Sequence, residues 1–217
     1  VGLFPGVEFS LKEGIHVLIV FDDAWYKGNT DNINEFLRTA FYGVPNYDTP
    51  PYPNSTCDLI TTVKRLDEIG HKYFIVLAHV DATNGLNNVL QGRTREAFIQ
   101  HDSFSKVLAI QKSCNKEKYV SLCLFAGKEI ACVEGSDNAQ KGVDGIGEGR
   151  VTYIKIGDFN FEALQYALID HKNRVTPKES PKIQNSWIKS ISFQGGLLDG
   201  KSICFSPELN NLIGIRG

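Results

Sequence analysis

The amino-acid sequence predicts an α/β fold built on a parallel sheet, either open or closed into a barrel. Two observations carry that expectation. Short β-rich runs recur, and most are near-continuously apolar instead of alternating, as strands covered on both faces are. Amphipathic helical patterns lie between them, and this alternation is the mark of right-handed βαβ units.

The strand candidates, in order, are Gly6 to Ser10, Ile15 to Phe21, Tyr73 to His79, Val107 to Gln111, Glu129 to Glu134 and Val151 to Ile156. A helix is expected from Thr30, its N-cap, with Ile33, Phe36, Leu37 and Ala40 on one face. The proline-rich stretch Tyr47 to Asn54 is a loop. A second helix is expected from near Ser55, with Leu59, Ile60, Val63 and Leu66 in one stripe and Gly70 as its C-terminal cap. A third follows Asn160, aligning Phe161, Leu164 and Leu168. In a barrel or an open parallel sheet, functional residues collect at the carboxyl ends of the strands.

The polar, proline-containing stretch TPKESPKIQNS marks a linker at 176–186, which separates a first domain, 1–175, from a second, 187–217. Within the second, Trp187 to Gln194 and Lys201 to Phe205 suggest a hairpin, and Asn211 to Ile213 a further strand.

Composition narrows the class. Apolar residues make up 42% and charged residues 22% of the chain, an ordinary globular balance. The net charge of −2 gives no electrostatic sign of a nucleic-acid partner. No stretch approaches the ~18 apolar residues that a membrane span needs. Five cysteines without zinc-type spacing are read as reduced thiols, and with them a cytoplasmic location. Methionine is absent, so the chain is expected to be a piece of a longer protein.

Four polar residues stand beside apolar strands: Glu8, His16, His79 and Asp137. Glu, His and Asp are the ligand types of a mixed nitrogen and oxygen metal site, and a barrel brings distant strand ends together. A lone histidine beside an apolar run is more often structural. Glu8 could equally be a surface strand residue and Asp137 a turn or helix cap. Of the other histidines, His71 is expected to complement a helix end, and His101 and His171 to be solvated. Asp22, Asp23, Asp81 and Asn84 lie near strand ends, each a rim residue or a loop residue.

The segments around these residues resemble the PHP (polymerase and histidinol phosphatase) family of metal hydrolases. PGVEFSLKEGIH is similar to the stretch in which a bridging Glu precedes a strand and a metal-binding His. IVLAHVDATNGL resembles a later segment that supplies another His, and VEGSDNAQ resembles the GSDAH segment near the last barrel strand. YIKIGDFNFEALQYAL fits the strand and helix that follow in PHP domains fused to a large ATPase, the TrlF-like type. The resemblance covers roughly 3–175. It implies a partial, distorted (β/α)7 barrel whose first strands lie upstream, with Glu8, His16, His79 and Asp137 as ligands of Mn, Zn or Fe. Ala139 stands where the family has a histidine, and alanine cannot ligate.

FQGGLLDGKSICFSPELNNLIG and the closing GIRG resemble the opening of SMC- and ABC-type ATPases, whose first strand runs into a P-loop. Gly214, Arg216 and Gly217 would be the first half of that loop. ATP and Mg would bind only the longer protein. Together the resemblances imply a metal-dependent phosphoesterase coupled to an ATPase. It would act on nucleic acid or nucleotide, away from membranes, and form homo-oligomers through the ATPase part. The alternative is a non-catalytic module of the ATPase with a decayed metal site. An amidohydrolase-like barrel acting on C–N bonds has no supporting residue and ranks last.

Overall fold

A computed structural model describes residues 2–27, 30–111, 115–136, 144–145, 147–176 and 187–206. The chain divides into two compact units, Val1–Glu179 and Ser180–Gly217.

The first unit opens with β1 (Gly6–Ser10) and β2 (His16–Phe21). Next come α1 (Asn32–Ala40), α2 (Leu59–Ile69) and β3 (Tyr73–Leu77). They are followed by α3 (Leu86–Val89), α4 (Gly92–Gln100), β4 (Val107–Gln111), α5 (Lys116–Ala126) and β5 (Ala131–Val133). The unit closes with β6 (Tyr153–Ile154), α6 (Phe161–Ile169), α7 (His171–Arg174) and β7 (Val175–Thr176).

Strands β1 to β5 form one sheet in sequence order. The pairs β3–β4 and β4–β5 are parallel, but β1–β2 and β2–β3 are antiparallel. The expected all-parallel sheet is therefore a mixed one. The reason is covalent: residues 11–15 join β1 to β2, and so short a connection closes a hairpin but cannot carry a crossover. The sheet is open among the described residues and closes no barrel. The run expected at Val151 to Ile156 is a strand only at Tyr153–Ile154, and it pairs with β7 outside the main sheet. The run at Glu129 to Glu134 shortens to β5.

Both faces of the sheet are covered. On one side Phe9, Val17, Ile19, Phe21, Ile75 and Leu77 pack against Phe36 and Ala40 of α1 and Leu59, Val63 and Leu66 of α2. On the other, Phe74, Val76, Ala109 and Ala131 meet Phe161 and Leu168 of α6. Strand β3 contributes to both sides and is buried throughout, which explains its unbroken apolar sequence. Truncating a core side chain such as Phe36 to Ala costs about 3–5 kcal/mol.

Capping fixes the helix starts more sharply than periodicity does. Asp31, not Thr30, caps α1, accepting from the Asn34 N–H at 3.1 Å. Asp58 caps α2, accepting from the Thr61 N–H at 2.8 Å, so that helix begins at Leu59 and Ser55 remains in the approach loop. Ile60, placed on the apolar stripe by spacing, is instead exposed. Gly70 ends α2 with φ of 80°, in the left-handed region that glycine occupies freely.

The second unit contains β8 (Ser190–Ser192) and β9 (Ser202–Cys204), the expected antiparallel hairpin. The strand expected at Asn211 to Ile213 and the linker from residue 177 onward lie outside the described residues. Among the described residues, no helix is long and apolar enough to cross a membrane.

Candidate metal centre

Register alone brings the first two site residues to one face. Residues opposed in an antiparallel ladder point the same way, and side chains along a strand alternate. Glu8 faces Leu18 and Ser10 faces His16, so Glu8, Ser10 and His16 share the α6 side of the sheet. Glu8 Oε1 lies 2.9 Å from His16 Nδ1. A carboxylate can only accept, so His16 Nδ1 carries the proton and its lone pair is left on Nε2. An ion held by both residues would replace that proton and leave Nδ1 free to ligate beside Glu8.

The third residue arrives by breaking a rule. Val17 pairs with Leu77, and the Ala78 N–H donates to His16 O at 3.1 Å. Continued pleating would send the next side chain, that of His79, to the opposite face. Instead His79 has φ of 23°, positive and so uncommon for a residue with a side chain. Its ring ends 5.2 Å from that of His16, centroid to centroid. The turn is held at both ends: the His79 N–H donates to Gln111 Oε1 at 2.9 Å, and His79 O accepts from the Ala82 N–H at 2.7 Å.

Glu8, His16 and His79 each offer a ligand atom, all within 4.8 Å of one another. Among the described residues this is the cluster of acidic, His or Cys groups compact enough to hold an ion. Its chemistry suits one. The Nε2 of His79 is buried and has no hydrogen-bond partner. A buried polar atom without a partner costs about 1–3 kcal/mol, and a cation on that lone pair removes the cost. Two imidazoles and a carboxylate are a donor set taken by Zn, Fe and Mn.

Asn84 completes the surroundings. Its backbone O accepts from the His16 N–H at 3.1 Å, and its side-chain Nδ2 lies 3.0 Å from His16 Nδ1 and 3.1 Å from Nε2. The next residue, Gly85, is packed so closely that a Cβ there would lie 2.3 Å from His79 O. The 79–85 loop is thereby pressed onto both histidines.

Asp137, the fourth expected ligand, lies outside the described residues, as do Ala139 and the P-loop candidates Gly214, Arg216 and Gly217. Asp22 and Asp23 are not brought to the site. Asp22 accepts from the Ala24 N–H at the start of a 3-10 turn, and Asp23 pairs with Lys27 at 2.7 Å. Asp81 orders the loop, accepting from Asn87 Nδ2 at 2.7 Å. His71 packs edge-on against Trp25, and His101 accepts from the Ser103 N–H. His171 is mostly buried beside Glu129, contrary to the solvated position expected of it. Sequence reading missed Gln111, whose only signal is a polar residue closing the apolar strand VLAIQ.

Compared with known proteins, the chain matches no family model, no curated protein and no solved structure.

Proposed function

We propose that the chain carries the metal site of a hydrolase that cleaves phosphoesters. The observation that supports this most is the convergence of Glu8, His16 and His79, whose ligand atoms lie within 4.8 Å of one another, together with a His79 ring nitrogen that is buried and has no partner. A cation between Glu8 and His16 would replace the proton on Nδ1, and His79 offers a ligand atom within 4.8 Å of both. Both histidines lie where the carboxyl end of β3 meets the amino end of its antiparallel neighbour β2. A divalent ion held there supplies a lowered water pKa and a clamp for a phosphate oxygen. Half-exposed Glu8 gives substrate an approach from solvent. The PHP resemblance of the surrounding segments supports a phosphoester over other substrates. It carries with it a barrel closed by strands beyond those described, the ligand Asp137, and coupling to an ATPase that acts on nucleic acid or nucleotide.

A non-catalytic module is the second reading, favoured by Ala139 where the family has a ligand. One experiment separates the two. The protein is purified without chelators, its metal content is measured, and bis-p-nitrophenyl phosphate turnover is assayed with Mn2+. The hydrolase reading expects bound metal and turnover, both lost in His16→Ala and His79→Ala. Metal without turnover leaves the module, and no metal even after incubation removes the site.

A further inference from the structure

We infer that the cavity between α3, α4 and α5 binds the phosphate group of a small organic phosphoester, held by Arg95 and Lys118. The residues of this cavity are not those of the Glu8, His16 and His79 cluster, and the inference does not depend on whether that cluster holds metal.

The cavity measures about 430 Å3, within the range of small-molecule sites. Asn87, Leu90, Gln91, Arg95, Lys118 and Ser121 are among the residues that line it. Arg95 is half-buried in its wall. Its Nε donates to Asn87 Oδ1 at 3.1 Å, Nη1 to Ser121 Oγ at 3.3 Å and Nη2 to Lys118 O at 3.2 Å. All three acceptors are neutral, and all three belong to residues that line the cavity. A guanidinium has five N–H groups, so one on each Nη is left over. Among the described residues, neither Arg95 nor Lys118 forms an ion pair through its side chain. Burial pulls the Arg95 guanidinium down from its ordinary value, and the charges of Glu96 and Asp81 offset this only in part. A guanidinium stays charged in a protein all the same. A partly buried cation pinned by neutral groups lacks a counter-ion, and a bound anion supplies it.

The surroundings favour phosphate among anions. A guanidinium fork beside an ammonium suits a dianion with several oxygens better than a single carboxylate. The amino end of α4 borders the cavity through Gln91 and Gly92, no side chain caps it, and its dipole adds partial positive charge. Apolar Leu90 faces an organic substituent. Exposed Glu117 is the opposing carboxylate of the lining. The site is also held in place before any ligand arrives. Asn87 is buried, and while its Oδ1 accepts from Arg95, its Nδ2 donates to Asp81 Oδ1 at 2.7 Å. The loop that follows His79 thus fixes the guanidinium.

The test is calorimetry on the whole protein, stripped of metal so that the His16 and His79 cluster takes up no phosphate. Phenyl phosphate is the probe, and benzoate is the control with the same ring and a carboxylate. The inference expects saturable binding of phenyl phosphate and weaker binding of benzoate. Arg95→Gln should bind phenyl phosphate about tenfold or more weakly, and Lys118→Gln about threefold more weakly. Arg95 ties α3, α4 and α5 together, so thermal midpoints without ligand control for folding. If Arg95→Gln does not fold, Lys118→Gln decides. No saturable binding by wild type, benzoate bound as tightly as phenyl phosphate, or undiminished affinity in the folded variants overturns the inference.

Discussion

The rings of His16 and His79 lie 5.2 Å apart with their planes at 63°, although 62 residues separate them in the chain. One begins β2 and the other follows the end of β3, and the antiparallel pairing of those strands brings the two termini together. The contact depends on the positive φ of His79.

That backbone angle can be tested apart from the imidazole. Removing the side chain in His79→Ala leaves a Cβ in a left-handed conformation, whereas His79→Gly removes that strain. The glycine variant is expected to be more stable than the alanine variant by about 1 kcal/mol, read from urea midpoints. Equal stabilities would mean that the turn relaxes once the ring is gone.

Gly85→Ala tests the packing of the 79–85 loop. The added Cβ would lie 2.3 Å from His79 O and within 2.6 Å of the Val80 carbonyl, all main-chain atoms. Overpacking against backbone costs about 1–3 kcal/mol. Loss of Mn2+ affinity is expected beside the fall in stability, because the displaced segment carries His79. A variant with wild-type midpoint and wild-type affinity would show that the loop has slack.

Asp58 predicts a pH dependence. Partial burial pushes its carboxyl up, but hydrogen bonds from Lys12 and the Thr61 N–H outweigh this and hold it down at about 2. An unfolded Asp titrates at about 3.9. The folded value is the lower one, so Asp58 stabilises fully above about pH 4 and progressively less as pH falls towards about 2. Asp58→Asn should therefore be less stable than wild type at pH 6. The gap should narrow between about pH 4 and pH 2 in urea titrations.

Glu13 predicts the opposite sign. Burial raises its carboxyl above the ordinary value, and its Oε2 is buried without a partner. A raised folded value means that the protonated form suits the fold and the charged form does not. Glu13→Gln should be more stable than wild type at pH 7, and wild type should close the gap as the pH falls through that raised value. A destabilised Gln variant at pH 7 would point to a cation near Glu13.

Much of this was legible in the sequence, for identifiable reasons. Apolar runs located β2, β3 and β4 because burial dictates composition directly. His16 and His79 stood out because a polar residue bordering such a run is conspicuous. Strand direction was not legible: β2 is as apolar as a parallel core strand, although only alternate residues are fully buried. Asp31 was passed over as a cap because Thr30, also a good cap residue, stands just before it, and Asp58 because the helix was expected to start near Ser55, three residues earlier. The turn at His79 left no trace at its own position, and the close approach of Gly85 to its carbonyl shows only in the structure.

The hairpin β1–β2 gives the site an order of assembly. Glu8 and His16 are eight residues apart, joined through one tight connection, so closing that loop has a small entropic cost. His79 must wait for α1 and α2 to be traversed and β3 to dock. A hairpin that pairs one residue out of register would turn Glu8 or His16 into the opposite core. Cation affinity therefore reports on whether three strands have found their mutual alignment, and a refolding chain followed by metal uptake would be read at the moment its third strand locks.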